Sequence, residues 1–370
     1  MIPAAAASGQ GYRYVMAEAT TNRQVTALIS RCYTGLDAFA LRAEVLHRLR
    51  RILSVDAAFF ATVDPVTMLF TSAVAEEPLS QAAPLFLDNE FGHEDVNKFA
   101  VLAESMDPVC SLDRATRGHR PASSRYRNIM APLGLGDELR AALIASKSCW
   151  GVICLHRENA SHGFDNRDVA VIRQIAPHVA EGLCRAVRIG LAAEPEAGSP
   201  GPGIIVLNDE MTVLSMSSEA EYWLAEIDRP DWPRRSALPV AAYAAATKLA
   251  WIEKGSAPTH LSPAVQLRGR SGRWLSLYAS RLQSSSTPMI GIVVEPTPSA
   301  QIGSVLLSAY GLTEAQLRVV ALVVKGHSTR QIVAELHISA NTVQEHLTAA
   351  FDKFGVRSRR ELVAAVMSGR

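Results

Sequence analysis

The sequence is short of the features that most catalytic, secreted and membrane proteins carry. No apolar run reaches the roughly 18 residues of a membrane span, and Met1 to Gly11 has neither the basic start nor the apolar core of a secretory leader. A cytoplasmic chain is therefore expected. Cysteine is scarce: Cys32, Cys110, Cys149, Cys154 and Cys184 are odd in number and scattered, which argues against a disulfide framework and fits reduced, mostly buried thiols. Cys149 and Cys154 are too far apart for a Cys-x-x-Cys pair and fall on opposite faces of an extended strand, so no metal site is expected from them. There is no Gly-x-Ser-x-Gly elbow, P-loop, His-Glu-x-x-His or paired-cysteine zinc pattern. His93, His119, His156 and His178 are scattered and read as surface or core residues. Asp64 precedes a turn proline and is not placed like a phosphoacceptor. Neither an enzyme nor a bound cofactor or metal is expected. Net charge is scarce too: 37 Lys+Arg against 36 Asp+Glu leave +1, which points to no class of partner.

What is present is an ordinary globular composition, 48% apolar and 20% charged, in a 370-residue length that suggests two or three domains. The most informative stretch is Gly311 to Met367, which reads as four short helices. Thr313-x-x-Gln316 is a capping box opening the first, with Leu317, Val320, Ala321 and Val324 as its apolar face and Lys325-Gly326 as its stop. Ser328-x-x-Gln331 opens the second, carrying Ile332, Val333 and Leu336. After a turn at His337-Ile338, Ser339 caps the third, which buries Val343, Leu347, Ala350, Phe351 and Phe354 and ends at Gly355. Ser358-x-x-Glu361 starts the fourth, with Leu362, Val363 and Val366.

Two short helices joined by a tight turn inside a helical core form a helix-turn-helix, whose second helix sets its N-terminal outer face in the major groove. Here that face is Gln344, Glu345 and Thr348, groups suited to base edges. Phosphate contact falls to Thr329, Arg330, Ser339, Thr342, Lys353, Arg357 and Arg359. From Gly311 onward eight Lys/Arg stand against five Asp/Glu, yet none of the cations lies between Asn341 and Ala350, so electrostatic grip must come from the flanks.

The stretch closely resembles the DNA-binding domain of LuxR-type transcription regulators. The resemblance rests on Leu312-Thr313, Gly326-His327-Ser328, Ile332, Leu336, Ile338-Ser339, Thr342-Val343, His346-Leu347, Lys353-Phe354-Gly355-Val356 and Ser358-Arg359. It implies that Thr342-Val343-Gln344 begins the DNA-reading helix and that the fourth helix serves dimerisation. Two positions depart from the family: Gln344 stands where Lys is usual and Gln316 where Glu is usual.

Toward the N-terminus, helical patterns cover Tyr14–Tyr33 and Leu36–Leu53; in the second, Arg42, Arg48, Arg50 and Arg51 read as a solvated face. Strand-like runs follow at Ala57–Val63 and Met68–Val74, then an aperiodic stretch from Glu76 to Pro121. Further strands are expected at Leu139–Ser146 and Cys149–His156. A long helix, Asp168–Ile189, contains Pro177, where a kink is expected. Its stripe of Ile172, Ile175, Val179, Gly182, Leu183 and Ala186 suits packing on its own sheet or on a second copy. Leu133 to Arg140, Cys149-Trp150-Gly151, Phe164 and Asp168 give this region a resemblance to GAF sensor domains, which implies a small-ligand pocket walled by Phe59, Phe60, Tyr126 and Trp150.

Beyond the Gly/Pro/Ala-rich linker, strands at Ile204–Asn208, Thr212–Met216, Val265–Arg268, Trp274–Ser280 and Met289–Val294 surround helices at Ser218–Leu224 and Val240–Ile252. The Arg268–Arg273 link reads as a solvated hairpin turn. Ile205 to Asn208, Trp223-Leu224 and Gly272 to Leu275 resemble the PAS fold. The expectation is an α+β multidomain chain: an N-terminal tail and helix over 1–24, a GAF-like sheet/helix domain over 25–190, a linker over 191–203, a PAS-like domain over 204–302 and a four-helix LuxR-type helix-turn-helix over 303–370. Its expected role is sequence-specific regulation of transcription on double-stranded DNA as a homodimer, under sensor-like domains that could take a small molecule. The alternative is a small-molecule or redox sensor with a protein-interaction output.

Overall fold

The computed structural model describes residues 20–158, 163–189, 200–227, 238–255, 262–283, 288–297, 305 and 307–368. The expected tail and the start of the first helix lie outside those residues, as does most of the linker. Helix α1 covers residues 20–31. Helix α2, Ala38–Ile52, begins where Asp37 accepts the Ala40 amide at 2.8 Å. Strands β1 (Ala57–Val63) and β2 (Phe70–Ala75) follow. The stretch read as aperiodic holds α3 (Ala83–Gly92), α4 (Phe99–Glu104), β3 (Val109–Ser111) and α5 (Leu112–Thr116). Two of these helices are under two turns long, too short to show a 3.6-residue period. Strands β4 (Leu135–Ala145) and β5 (Ser148–Glu158) and helix α6 (Asn166–Ile189), unbroken through Pro177, complete the first unit.

The five strands form an antiparallel sheet in the order β2-β1-β5-β4-β3. Its sides hold separate cores. On one, α2 and α6 cover Phe60, Leu143, Trp150 and Ile153. On the other, α3, α4 and the segment before β4 cover Phe59, Phe70, Ala142 and Cys154. Ile172, Ile175, Val179 and Leu183 of α6 are at most 2% exposed, and a Cβ on Gly182 would lie 2.7 Å from Leu41. The stripe offered to either core or partner is therefore spent on the core.

A second antiparallel sheet repeats the order. Strands β6 (Gly203–Asn208) and β7 (Val213–Met216), helices α7 (Ser218–Ile227) and α8 (Val240–Glu253), and strands β8 (Ala264–Arg268), β9 (Trp274–Leu282) and β10 (Met289–Pro296) pair as β7-β6-β10-β9-β8. Helix α8 is apolar nearly all round, as a helix enclosed on several sides must be: it packs on its own sheet and also on α3 and β2 of the first unit. The two units interlock there. Trp251 lies so close to Gly92 that a Cβ would fall 1.8 Å from its ring, and its Nε1–H donates to Asp88 at 3.1 Å. The Gln266 amide donates to buried Asp64 across the junction at 2.9 Å.

Two expectations fail, one on strand geometry and one on tertiary burial. Cys149 and Cys154 share one face because β4 and β5 slip register between Leu143/Gly151 and Ile144/Cys149, leaving Trp150 as the extra residue of a bulge. Arg42 is buried rather than solvated, donating to Ser72 Oγ at 2.9 Å, while Arg48 pairs with Glu44 on the surface. Next to the bulge, a Cβ on Gly151 would meet Leu183 at 2.7 Å and the Ala61 carbonyl at 2.9 Å. Gly151→Ala should therefore cost about 1–3 kcal/mol through backbone displacement. A urea titration should show a lower midpoint at unchanged slope; an unshifted midpoint would refute the close approach.

Candidate nucleic-acid interface

The C-terminal bundle starts each helix with a side-chain cap that the local sequence dictates. Helix α9, Glu314–Val324, opens on a reciprocal box: Thr313 Oγ1 accepts the Gln316 amide at 3.3 Å, and the Thr313 amide donates to Gln316 Oε1 at 3.0 Å. Glutamine rather than glutamate at position 316 closes the box without charge. Helix α10, Thr329–Leu336, opens on the equivalent box at Ser328 and Gln331. His337 at φ 53° makes the turn in the left-handed region. Ser339 caps helix α11, Ala340–Phe354, through the Thr342 amide at 3.0 Å, and Gly355 stops it at φ 67°. Ser358 caps helix α12, Arg359–Ser368, through the Glu361 amide at 3.2 Å.

The packing face of α11 is as expected for Val343, Leu347 and Ala350, all buried. That of α9 is rotated. Val319, Val320, Leu322 and Val323 are buried, while Leu317, Ala321 and Val324 are half-buried, because α9 packs on α10, α11 and α12 together.

Gln344, Glu345 and Thr348 lie exposed on the outer side of α11, one turn and less apart. Asn341 Nδ2 donates to Glu345 Oε1 at 2.9 Å and fixes that carboxylate along the helix. The residues expected at phosphates divide. Thr329, Arg330, Ser339 and Thr342 cluster at the N-termini of α10 and α11, where amide groups favour anions, and Arg357 is exposed beyond Gly355. Lys353 and Arg359 have internal duties: Lys353 Nζ donates to the Gly311 carbonyl at 2.7 Å and to Gln316 Oε1 at 2.9 Å, and Arg359 donates to the His327 carbonyl.

The four aromatic residues expected to wall a ligand pocket do not meet. Phe59 and Phe60 are consecutive on β1 and enter opposite cores; Trp150 joins Phe60, and Tyr126 packs on the Phe59 side. What the Phe59 side carries instead is a buried ionic network that the sequence reading missed. Arg125 Nη2 meets Glu138 at 2.6 Å, and Arg140 Nη2 meets Glu90 at 2.7 Å with its guanidinium 3.7 Å from the Phe99 ring centre. Its sequence signal is Glu138 and Arg140 at i and i+2 within a strand, hence on one face. Burial alone raises the Glu138 carboxyl, but Arg125 and Arg140 overcome this and hold it well below the usual carboxylate range.

Cys154 donates to Glu138 at 2.9 Å, and His156 Nε2 lies 3.0 Å from its sulfur. Donor atoms of Glu138, Cys154 and His156 lie within 4.8 Å of one another, close enough to consider a cation. The chemistry argues against one. Two guanidinium groups already neutralise the carboxylate, and burial, reinforced by Glu138, keeps the thiol protonated.

The four capped helices with an exposed strip on the third define a helix-turn-helix DNA-binding protein. Residues 311–366 match the family described as bacterial regulatory proteins, luxR family, and residues 40–183 match the GAF domain. The spore germination protein GerE of Bacillus subtilis (strain 168) is 36% identical over 56 residues, 15% of this chain and 76% of GerE. The chain belongs to the luxR family of bacterial regulatory proteins and carries a GAF domain ahead of its helix-turn-helix. Among solved structures, a Vibrio cholera VqmA–ligand–DNA complex is 16% identical, covering 46% of this chain and 83% of that one at a TM-score of 0.21. The bacteriophytochrome RpBphP3 from R. palustris is 11% identical, covering 73% and 63% at 0.33. At these scores neither likeness informs the fold. No helix among the described residues is long and apolar enough to cross a membrane.

Burial drives His156 down to about 4, against the pull of Glu138. A depressed histidine stays neutral in the folded state while the unfolded chain takes up a proton near pH 6.5. Stability therefore falls as pH drops from about 6.5 to about 4, by on the order of 3 kcal/mol at the lower end. Glu138 adds further loss below about pH 4.3, where the unfolded carboxyl protonates first. Urea unfolding across this range should show the slope, and His156→Phe should flatten its upper part; a flat wild-type profile between pH 6.5 and 4.5 would overturn this assignment.

Proposed function

We propose that the protein is a sequence-specific transcription regulator acting on double-stranded DNA in the cytoplasm. In this reading Gln344, Glu345 and Thr348 read base edges in the major groove, the amide of Gln344 suiting adenine and the carboxylate of Glu345 suiting cytosine. The observation that carries it is the exposed strip on α11, held at a fixed angle by caps at Ser328 and Ser339. Thr329, Arg330, Ser339, Thr342 and Arg357 grip phosphates beside it, while Lys353 and Arg359 set the angle of the bundle from within and reach the backbone only at its edge. The protein works as a homodimer, because duplex symmetry rewards two-fold proteins. Since the α6 stripe is buried, α12 is the better seam.

The second sheet is PAS-like; its strand order and the placement of α7 and α8 between β7 and β8 support that. The two sensor units control the bundle, and a ligand acts only through differential affinity for two arrangements of it. A second reading, a sensor whose bundle docks another protein, is favoured by one observation: α11 carries no Lys or Arg before Lys353.

Selection of bound sequences from random DNA, with the full chain and at stated salt, separates these readings. An enriched site supports DNA reading, and recovery of none supports the docking module. On the enriched site, Gln344→Ala with Thr348→Ala should cut preference over a scrambled duplex at least about tenfold. Arg357→Ala should weaken all sequences alike and lower the salt slope by about one. Undiminished discrimination in the double variant would place the reading face elsewhere.

A further inference from the structure

The junction between the two sheets encloses a partly open cavity of about 140 Å³. Its floor is Thr62 and Ser72 of the first sheet; its roof is Gln266, Arg268 and Trp274 of the second. Val187, near the end of α6, and Val305, in the connector to the helix-turn-helix, close one side. Space of this size accepts a molecule of roughly six to ten non-hydrogen atoms, given that a dry 150 Å³ cavity takes benzene and this one is open at one end.

The lining is more apolar than polar, and its polar part is incompletely satisfied. Trp274 is 8% exposed, and its Nε1–H has no partner among the described residues. Gln266 Oε1 is likewise buried and unpartnered. Leaving such groups unpaired costs about 1–3 kcal/mol each, so the site is built for something that pairs with them. The charges favour an anion: Arg42, Arg268 and Arg270 outnumber Asp64 and Glu226. Asp64 is already engaged by the Val66 and Gln266 amides, and Glu226 by the Ser271 amide. Burial pulls Arg268 below its ordinary value, with Asp37 opposing, and its Nε donates to the Gly272 carbonyl at 3.0 Å. The broader clefts beside α4 and beside α1 have no unpartnered buried polar atom among the described residues that line them.

We propose that this cavity binds a small hydroxy-carboxylate. Its carboxylate sits between the Trp274 N–H and the Arg268 guanidinium, its hydroxyl donates to Gln266 Oε1, and its apolar body rests on Trp150, Leu183 and Val305. Because the last of these belongs to the connector, the ligand touches both sheets and the path to the DNA-binding bundle together. The binding site stands without the control reading given above; only the consequence for DNA rests on it.

Calorimetry on the full chain tests the site, with 4-hydroxybenzoate and 3-hydroxybutyrate as probes and benzyl alcohol as the uncharged comparator. At least one hydroxy-carboxylate should bind with Kd below about 1 mM, and benzyl alcohol should not. Trp274→Phe, which removes the N–H and keeps the ring, should weaken binding about tenfold. Gln266→Met, on the edge strand β8, should do the same and serves alone if Trp274→Phe does not fold. Failure of both probes to bind the wild-type chain, or affinity unchanged by the folded variants, overturns the site. A gel shift with and without the bound probe then addresses control: binding that leaves DNA affinity unchanged removes the control reading and leaves the site standing.

Discussion

The structure depends on how helix α6 is used. Its apolar stripe closes the helix side of the first sheet, and its last turns hold the connector that follows the second sheet. Val305 and Ala309 sit in the same core as Ile175, Val179 and Leu183, and Cys184 Sγ donates to the Ala309 carbonyl at 3.1 Å. One residue further on, Tyr310 stacks on Phe354 of α11 with ring centres 3.9 Å apart. Gly311, at φ 65°, passes so close to the β4–β5 turn that a Cβ would fall 2.7 Å from Ser146. The helix-turn-helix is thus packed against the sensor body rather than trailing from it. A displacement of α6 must move the connector, since packed interfaces shift between discrete arrangements rather than deform continuously.

The same economy limits where two copies could meet. A stripe exposed at 8% or less throughout has no area left for a partner, so a two-fold contact has to use another surface. Helix α12 turns Leu362 and Val366 inward and leaves Arg360 and Glu361 outward with Val363 half-buried. That is a narrow apolar edge rimmed by charge, too small for an obligate interface.

Local signals were legible in the sequence and long-range ones were not. Thr313/Gln316 and Ser328/Gln331 could be placed because a capping box is satisfied within four residues, whatever the rest of the chain does. Nine of the ten strands were legible from apolar or β-branched runs between turn residues; the three-residue β3 was not. Arg42 and Arg268 could not be placed, because their burial is decided by partners that arrive from elsewhere: Ser72, thirty residues on, for the first, and the opposing sheet for the second. The shared face of Cys149 and Cys154 was hidden by a one-residue bulge, which strict alternation cannot anticipate. Phe59 and Phe60 show the converse. As neighbours on a strand they had to face opposite ways, so alternation alone spoke against one pocket holding both.

Where space for a signal can exist follows from what fills the two sheets. The face of the first sheet toward α3 and α4 is occupied by Arg125, Glu138, Arg140 and Glu90. Such a network is costly to open, because withdrawing one partner leaves a buried charge unpaired at about 3–5 kcal/mol. The corresponding face of the second sheet is filled by α8, whose Ala241, Ala242, Ala244, Ala245 and Ala246 are fully buried. The junction is different. It retains two buried polar atoms, Gln266 Oε1 and Trp274 Nε1, without a partner among the described residues. A ligand there would gain hydrogen bonds in one relative placement of the sheets and lose them in another. Differential affinity of that kind is what couples binding to placement, and Val305 of the connector lies in the same wall.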